Sequence, residues 1–115
     1  LCYNFVEVIK LKNKVLIRMV LNSEDENIFE DVKNKLSTLS NHIENLSFSP
    51  MRPYFRYNNY GECSITFNLD LTYLEELKTK LSSYWQGEYE DDIETDQIMG
   101  EVFHANVFYM NLQVL

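Results

Sequence analysis

Apolar and polar residues alternate most regularly over residues 62–69, and this pattern predicts a β-strand. The apolar positions are Cys63, Ile65, Phe67 and Leu69. Successive side chains of a strand point to opposite faces of its sheet. We therefore expect these four residues to face a core and the polar residues between them to face solvent.

Further strands are predicted on both sides of this one. Residues 15–21 are apolar except for Arg18, which is typical of a central strand that is covered on both faces. Residues 3–11 predict a strand that a turn at 12–14 joins to residues 15–21, either as an N-terminal hairpin or as one strongly bent strand. Residues 54–57 predict a short aromatic strand.

The last predicted strand covers residues 102–115, and its apolar pattern changes phase. Phe103, Ala105 and Val107 begin the pattern, and the alternate positions from Phe108 onward continue it. A β-bulge near Val107 and Phe108 would bring both sets to one face of the sheet. We therefore expect a bulged final strand.

Two amphipathic helices are predicted. Residues 23–26 form a capping box, and apolar residues then recur every three or four positions, which indicates a helix of about five turns. Its apolar stripe is Ile28, Val32, Leu36, Leu39, Ile43 and Leu46. A second capping box at 72–75 begins a helix that is expected to end at Gly87. Its buried face is predicted to hold Leu74, Leu77, Leu81, Tyr84 and Trp85.

This order of elements predicts a single α+β domain over residues 1–115. Strands, a helix, two strands, a helix and a strand follow one another as in a split βαβ, ferredoxin-like sandwich. The expected sheet is antiparallel, with four or five strands and two helices on one face, and the N-terminal hairpin would be an addition to it. Because this architecture hosts unrelated activities, function has to be inferred from particular residues.

The negative charge is concentrated in one segment. The formal net charge is −8, yet residues 1–80 hold 11 acidic and 10 basic residues and are almost neutral. Residues 81–115 hold seven acidic residues and no Lys or Arg, and six of those acids lie within residues 88–96. We expect this stretch to be an acidic loop.

The sequence offers no pattern for a cofactor or a metal. The three glycines are isolated, so a phosphate-binding loop is not expected. An EF-hand loop starting at Asp92 would need Gly and Glu at the positions of Gln97 and Phe103. Zinc needs about four ligands, and His42 is expected to be a solvated residue on the first helix.

Catalysis is not expected either. Cys63 could act as a nucleophile with His104 as its base, but Cys63 shares its face with apolar residues and is expected to be a buried, inert thiol. The two cysteines, Cys2 and Cys63, form no disulfide framework, which favours a reducing, cytoplasmic location. We therefore predict a protein that is not an enzyme and needs no cofactor.

Nucleic acids and membranes are also disfavoured as partners. Residues 52–57 alternate arginines with aromatic residues, a mixture that can stack on single-stranded RNA. However, no RNP1 pattern is present, and a net charge of −8 repels phosphates. No apolar run approaches the roughly 20 residues of a membrane-spanning helix.

Aromatic residues interleaved with the acids point to a protein partner. Trp and Tyr are typical interface anchors, whereas concentrated charge accelerates association with an oppositely charged surface. The predicted partner-binding residues are Tyr84, Trp85, Glu88, Tyr89, Glu90, Asp91, Asp92, Glu94 and Asp96. The leading hypothesis is an acidic inhibitor of a basic protein such as a nuclease toxin or a nucleic-acid-binding enzyme, of the immunity-protein or antitoxin type. The alternative is a homodimer or larger homo-oligomer assembled through the sheet.

Overall fold

The computed structural model describes residues 12–115, except for the side chain of Glu90. This part of the chain has an α+β fold with a seven-stranded antiparallel sheet and two α-helices. The strands are β1 (Asn13–Leu21), β2 (Glu44–Phe48), β3 (Arg52–Pro53), β4 (Gly61–Leu69), β5 (Gln86–Glu90), β6 (Ile93–Met99) and β7 (Val107–Val114). The helices are α1 (Glu26–Ser37) and α2 (Leu74–Leu81), and a 3-10 turn (Leu71–Tyr73) leads into α2.

The strands lie in the order β2-β4-β1-β7-β6-β5, and the short β3 pairs with one end of β4. β1 is therefore central, with β4 on one side and β7 on the other. The sheet is larger than the four or five strands predicted, because β2, which lies in part of the predicted first helix, and the hairpin of β5 and β6 extend it. The predicted strand over residues 3–11, and with it the N-terminal hairpin, lies outside the described residues.

One face of the sheet forms the core with both helices. Alternate residues of β1 from Val15 to Leu21 are buried in the same apolar cluster as Phe29 of α1 and Leu77 of α2. Cys63, Ile65, Phe67 and Leu69 of β4 join this cluster, as the alternation predicted. Burial of apolar area, at roughly 25 cal/mol per Å², is the main force that holds these layers together.

α1 is shorter than predicted. It ends at Ser37, and the chain then turns and returns as β2 along β4. Ile43 and Leu46 still pack against the core, but from a turn and a strand rather than from a helix. The N-cap also differs, because the carboxylate of Asp25, not the hydroxyl of Ser23, accepts the N–H of Asn27 at 2.8 Å.

α2 begins and ends differently from the prediction. The carboxylate of Asp70 accepts the N–H of Thr72 at 3.0 Å, so Asp70 rather than Thr72 caps this end. The helix ends at Leu81 because Ser82 is extended and buried, and its hydroxyl donates to the Glu101 carbonyl at 2.7 Å. Gly87 therefore lies in β5 instead of ending the helix.

Two strand predictions also need correction. Residues 54–57 form a loop, because only Arg52–Pro53 pairs with β4 before the chain turns away. The final strand begins at Val107 rather than at residue 102, since the preceding residues form a turn with Gly100 at φ +97°. The predicted bulge is confirmed: Leu21 pairs with Val107 and Val20 with Tyr109, which leaves Phe108 as the extra residue.

Candidate protein-binding site

The acidic segment is a β-hairpin and not the loop predicted from its composition. Its strands pair from Gln86 with Gln97 to Glu90 with Ile93, which leaves Asp91 and Asp92 as the two-residue turn. Both turn residues have positive φ, 50° and 66°, as a type I′ turn requires. The pairing of backbone groups thus overrides the low strand propensity of Asp and Glu. We call residues 86–99 the acidic hairpin.

The acidic hairpin is attached along one side only. β6 pairs with β7 from Asp96 to Met99, whereas β5 pairs only with β6 within residues 12–115. β5 is thus an edge strand in the described structure. The turn lies beyond the stretch where β6 is paired with β7.

The acids of the hairpin are divided between its two faces. Ile98 is buried on the helix side of the sheet, so Glu94 and Asp96 point to that side as well. Glu88 pairs with Thr95 and therefore points to the opposite side, which we call the outer face. The predicted acidic surface is thus two surfaces joined at the turn.

Asp96 and Trp85 hold the hairpin against α2. The ammonium group of Lys78 lies 2.5 Å from the Asp96 carboxylate, and their side chains are only 12% and 23% exposed. The indole N–H of Trp85 donates to the Lys78 carbonyl at 2.8 Å, and the Lys78 ammonium lies 5.7 Å from the centre of the Trp85 ring. These two predicted site residues are therefore already engaged within the chain.

The remaining predicted residues are accessible. Glu88, Asp91, Asp92 and Glu94 are exposed, as are Tyr84 and Tyr89, whose exposed fractions are 64% and 72%. Glu90 lies on β5, where its backbone pairs with Ile93. The structure thus brings an aromatic side chain and four free carboxylates together at the end of the hairpin, with no Lys or Arg in residues 81–115.

An open groove runs along the outer face beside the hairpin. Its volume is about 400 Å³, and Glu88, Asp91 and Ile93 line one side of it. Tyr109 and Arg18 lie across from them. The Tyr109 hydroxyl donates to the Gln97 side chain at 2.8 Å, and burial is the main cause that raises the pKa of this phenol.

The sequence reasoning missed a second part of the outer face, which is apolar. Met99 ends β6 with 64% of its surface exposed and borders two further cavities. One, of about 470 Å³, also touches Tyr84 and Trp85, and the other, of about 350 Å³, also touches Phe55 and Phe108. The alternation of Ile98 and Met99 could have indicated that Met99 points outward from the core.

The other candidate residues are engaged in structural contacts. Cys63 is buried, and desolvation is the main cause that raises the pKa of its thiol to about 11. The His104 ring meets the Asp31 carboxylate at 2.6 Å and accepts the N–H of Asn106 at 3.0 Å. His42 lies in the turn after α1 rather than on the helix, and its ring stacks on Tyr73 at 3.5 Å.

Residues 12–115 contain no group of three or more His, Cys, Asp or Glu side chains placed to hold a metal ion. Within the same range, no helix has the length and apolar character needed to cross a membrane. Comparison of the chain with protein-family models, with curated proteins and with solved structures gave no match.

Proposed function

We propose that this protein is a non-catalytic inhibitor that binds a basic protein in the cytoplasm through its acidic hairpin. Immunity proteins of nuclease toxins, antitoxins and carboxylate mimics of DNA phosphates have this physical profile. The observation that carries the proposal is the placement of Glu88, Tyr89, Asp91, Asp92 and Glu94 on an exposed arm that contains no basic residue.

The charge of the arm supports binding to a basic surface. Like charges at close spacing destabilise a folded chain through their mutual repulsion, and the remainder of the chain is nearly neutral, so this repulsion is concentrated in the arm. A positively charged partner relieves this repulsion. It is also steered toward the arm, which can raise the association rate by about 10-fold or more at low salt.

Aromatic residues near these acids can supply the short-range part of the affinity. Tyr89 sits between Glu88 and Glu90 in the sequence and is 72% exposed. Tyrosine provides a large contact area with few rotatable bonds, and for this reason it is common among interface residues that dominate binding. We therefore assign steering to the carboxylates and anchoring to Tyr89.

We also infer that the fold is the ferredoxin-like sandwich predicted from the sequence, with an insertion. The strands β2, β4, β1 and β7 lie side by side in that order and are all antiparallel, which supports a split βαβ arrangement. The acidic hairpin is inserted between α2 and β7. It therefore extends the sheet from the β7 edge.

One observation favours the alternative of a homodimer, namely that β5 is an edge strand in the described structure. Edge strands can pair across a two-fold axis. However, an antiparallel pairing centred on Glu88 would place the two copies of this carboxylate opposite each other, and like charges in that position are destabilising. We therefore favour a basic partner for this edge of the molecule.

The test is a comparison of three baits in a lysate of the source cells. The first bait is the wild-type chain. The second, the hairpin-neutral variant, carries E88Q, D91N, D92N and E94Q. The third, the body-neutral variant, loses the same number of charges elsewhere and carries E24Q, E26Q, E30Q and E76Q.

We expect the wild-type and body-neutral baits to retain a basic protein at low salt that the hairpin-neutral bait loses. The retained protein is then purified, and its own activity is measured with and without each bait. Suppression by the wild-type chain but not by the hairpin-neutral variant supports inhibition. Equal retention by all three baits contradicts the role of the hairpin, and a wild-type dimer that forms regardless of salt favours the alternative.

A further inference from the structure

We infer that the outer face also binds an apolar side chain of the partner, at a fixed distance from the basic group that meets Glu88. This inference rests on the proposed function and specifies which part of a basic protein the outer face would bind. It is carried by an exposed apolar surface next to the acidic groove, which we call the Met99 band. Four residues of the band, Phe55, Tyr57, Tyr84 and Met99, are exposed, and the partly buried Trp85 and Phe108 complete it.

The band is continuous because its two cavities share residues. Both cavities are lined by Gln97 and Met99, so Met99 forms the ridge between them. Phe55 and Met99 are 82% and 64% exposed, although both are large apolar side chains. Contiguous apolar surface of this kind marks interaction sites, and methionine adapts its shape to different apolar ligands.

The acidic groove adjoins the Met99 band on the same face. Tyr109 lines both the cavity beside Phe55 and the groove that holds Glu88 and Asp91. The ligand that fits this arrangement has an apolar side chain at one end and a Lys or Arg at the other. Glu88 and Asp91 outnumber Arg18, the one basic residue that lines the groove, so charge complementarity favours a basic protein segment over a nucleic acid.

The register of the hairpin sets the spacing between the two ends. Thr95 pairs with Glu88 and precedes Met99 by four residues on β6. At a rise of about 3.3 Å per residue, these positions are about 13 Å apart. An extended partner segment would thus place its apolar residue four positions from its basic residue.

Trp85 provides a direct measurement, because it is the single tryptophan of the chain and lines the Met99 band. Its fluorescence is titrated with three synthetic peptides of equal length. The first has a leucine four residues before a pair of arginines, the second has serine in place of the leucine, and the third has glutamine in place of the arginines. We expect the first peptide to bind at least about 10-fold more tightly than the other two, since it alone buries a leucine and neutralises the groove.

Substitutions in the protein then show whether the leucine of the peptide binds at Met99. Met99→Ser is expected to weaken the leucine–arginine peptide about 10-fold, whereas Leu71→Ser, at an exposed leucine of the 3-10 turn, leaves its affinity unchanged. If Met99→Ser lowers the melting temperature, Met99→Gln, which keeps the length of the side chain, replaces it as the test and is expected to weaken binding of the peptide as well. The hairpin-neutral variant should bind both arginine-containing peptides with lower affinity, and the loss should be similar for the two.

Three results would overturn the inference. The first is that the leucine and serine peptides bind with equal affinity and that Met99→Ser changes neither affinity. If the hairpin-neutral variant still fails to bind these two peptides, the apolar inference is wrong but the proposed function is supported. The second is failure of the leucine–arginine peptide to bind. The third is a dimer of the wild-type chain that Met99→Ser dissociates, because the band would then be occupied by a second copy.

Discussion

The body of the protein and its acidic hairpin belong to one sheet but are stabilised in different ways. The body, formed by β1, β2, β4, β7 and the two helices, buries nearly all of the apolar core. In the hairpin, Ile98 is the one residue that is fully buried in this cluster among the described side chains. The hairpin is instead held by backbone pairing with β7 and by the ion pair between Lys78 and Asp96.

This difference fits the proposed function, in which stability and recognition depend on different residues. The apolar core contains none of the exposed carboxylates, so binding of the proposed partner to them would leave the core undisturbed. The hairpin, in turn, can carry repelling charges because the body supplies the free energy of folding. Regions with few buried apolar contacts open more readily than the core, and the hairpin is expected to be the less protected region.

The largest expected effect comes from the core of the body. Phe67→Ala should lower the free energy of unfolding by about 3–5 kcal/mol, because it leaves a cavity under both helices. Tyr89→Ala, which truncates an exposed aromatic residue of the hairpin, should change it by less than about 0.5 kcal/mol. Urea unfolding followed by circular dichroism measures both, and equal effects would contradict the separation of the two regions.

The next effect concerns the connection between the regions. Lys78→Met should lower the free energy of unfolding by about 2 kcal/mol, since it leaves the half-buried Asp96 carboxylate without its partner. Amide hydrogen exchange should become faster in β5 and β6. Lys80→Met is the matched control, because Lys80 pairs with Glu76 on the exposed side of α2 and should matter by less than about 0.5 kcal/mol. Similar losses in the two variants would show that the ion pair does not hold the hairpin.

A third effect distinguishes the body by its response to high pH. Burial raises the pKa of Cys63 from its ordinary value of 9.0 to about 11, so the folded thiol keeps its proton at a pH where the unfolded thiol has lost it. The buried, protonated thiol therefore makes its full contribution to the free energy of unfolding below pH 9, and this contribution is lost as the pH rises toward 11. Between pH 8 and pH 10 the loss of stability should be about 1 kcal/mol.

Cys63→Ala isolates this contribution from the other groups that titrate at high pH. The difference in unfolding free energy between the wild-type chain and this variant, measured by urea unfolding at pH 8, 9 and 10, should shrink as the pH rises. If the difference in unfolding free energy stays constant with pH, the thiol is not buried at its position in β4 as the structure shows.

The smallest expected effect is a gain in stability from substitutions in the turn of the hairpin. Replacing Asp91 by Asn and Asp92 by Gly should raise the free energy of unfolding by about 1 kcal/mol, because Asn-Gly suits two positive φ values and removes two adjacent like charges. The melting temperature should rise accordingly. The same pair of changes should slow association with a basic partner, and a gain in stability without slower association would weaken the role assigned to these two acids.

The sequence predicted the elements whose side chains repeat with a clear period. The alternation in β4 and the phase change at Phe108 each correspond to the observed backbone. The prediction of α1 was wrong beyond Ser37, because Leu39, Ile43 and Leu46 continue a helical spacing that the backbone does not follow. These residues reach the core either way, so hydrophobic spacing alone cannot distinguish the two backbones.

The candidate site was predicted only as a set of residues. Composition identified the acids of residues 88–96, but Asp and Glu have low strand propensity, and Asp91 with Asp92 is a weaker turn signal than Asn-Gly. β6 and β7 are consecutive strands joined by residues 100–106, but β6 lacks the regular apolar alternation that would have predicted their pairing. The division of Glu88 and Glu94 between two faces, and the engagement of Asp96 by Lys78, follow from that pairing.

The central position of β1 has a consequence for how the chain folds. Ile17 pairs with Ile65 on one side and with Leu112 on the other, so both neighbours of this strand come from much later parts of the chain. Such distant pairings must close long loops before they gain any burial, and folding dominated by them is slow, in the range of about milliseconds to seconds. The strands β5, β6 and β7 instead pair with their immediate neighbours in the chain, as Glu90 does with Ile93 and Met99 with Tyr109, so these pairings close only short loops. The arm that we assign to recognition is therefore expected to form on β7 without waiting for the slow pairings of β1.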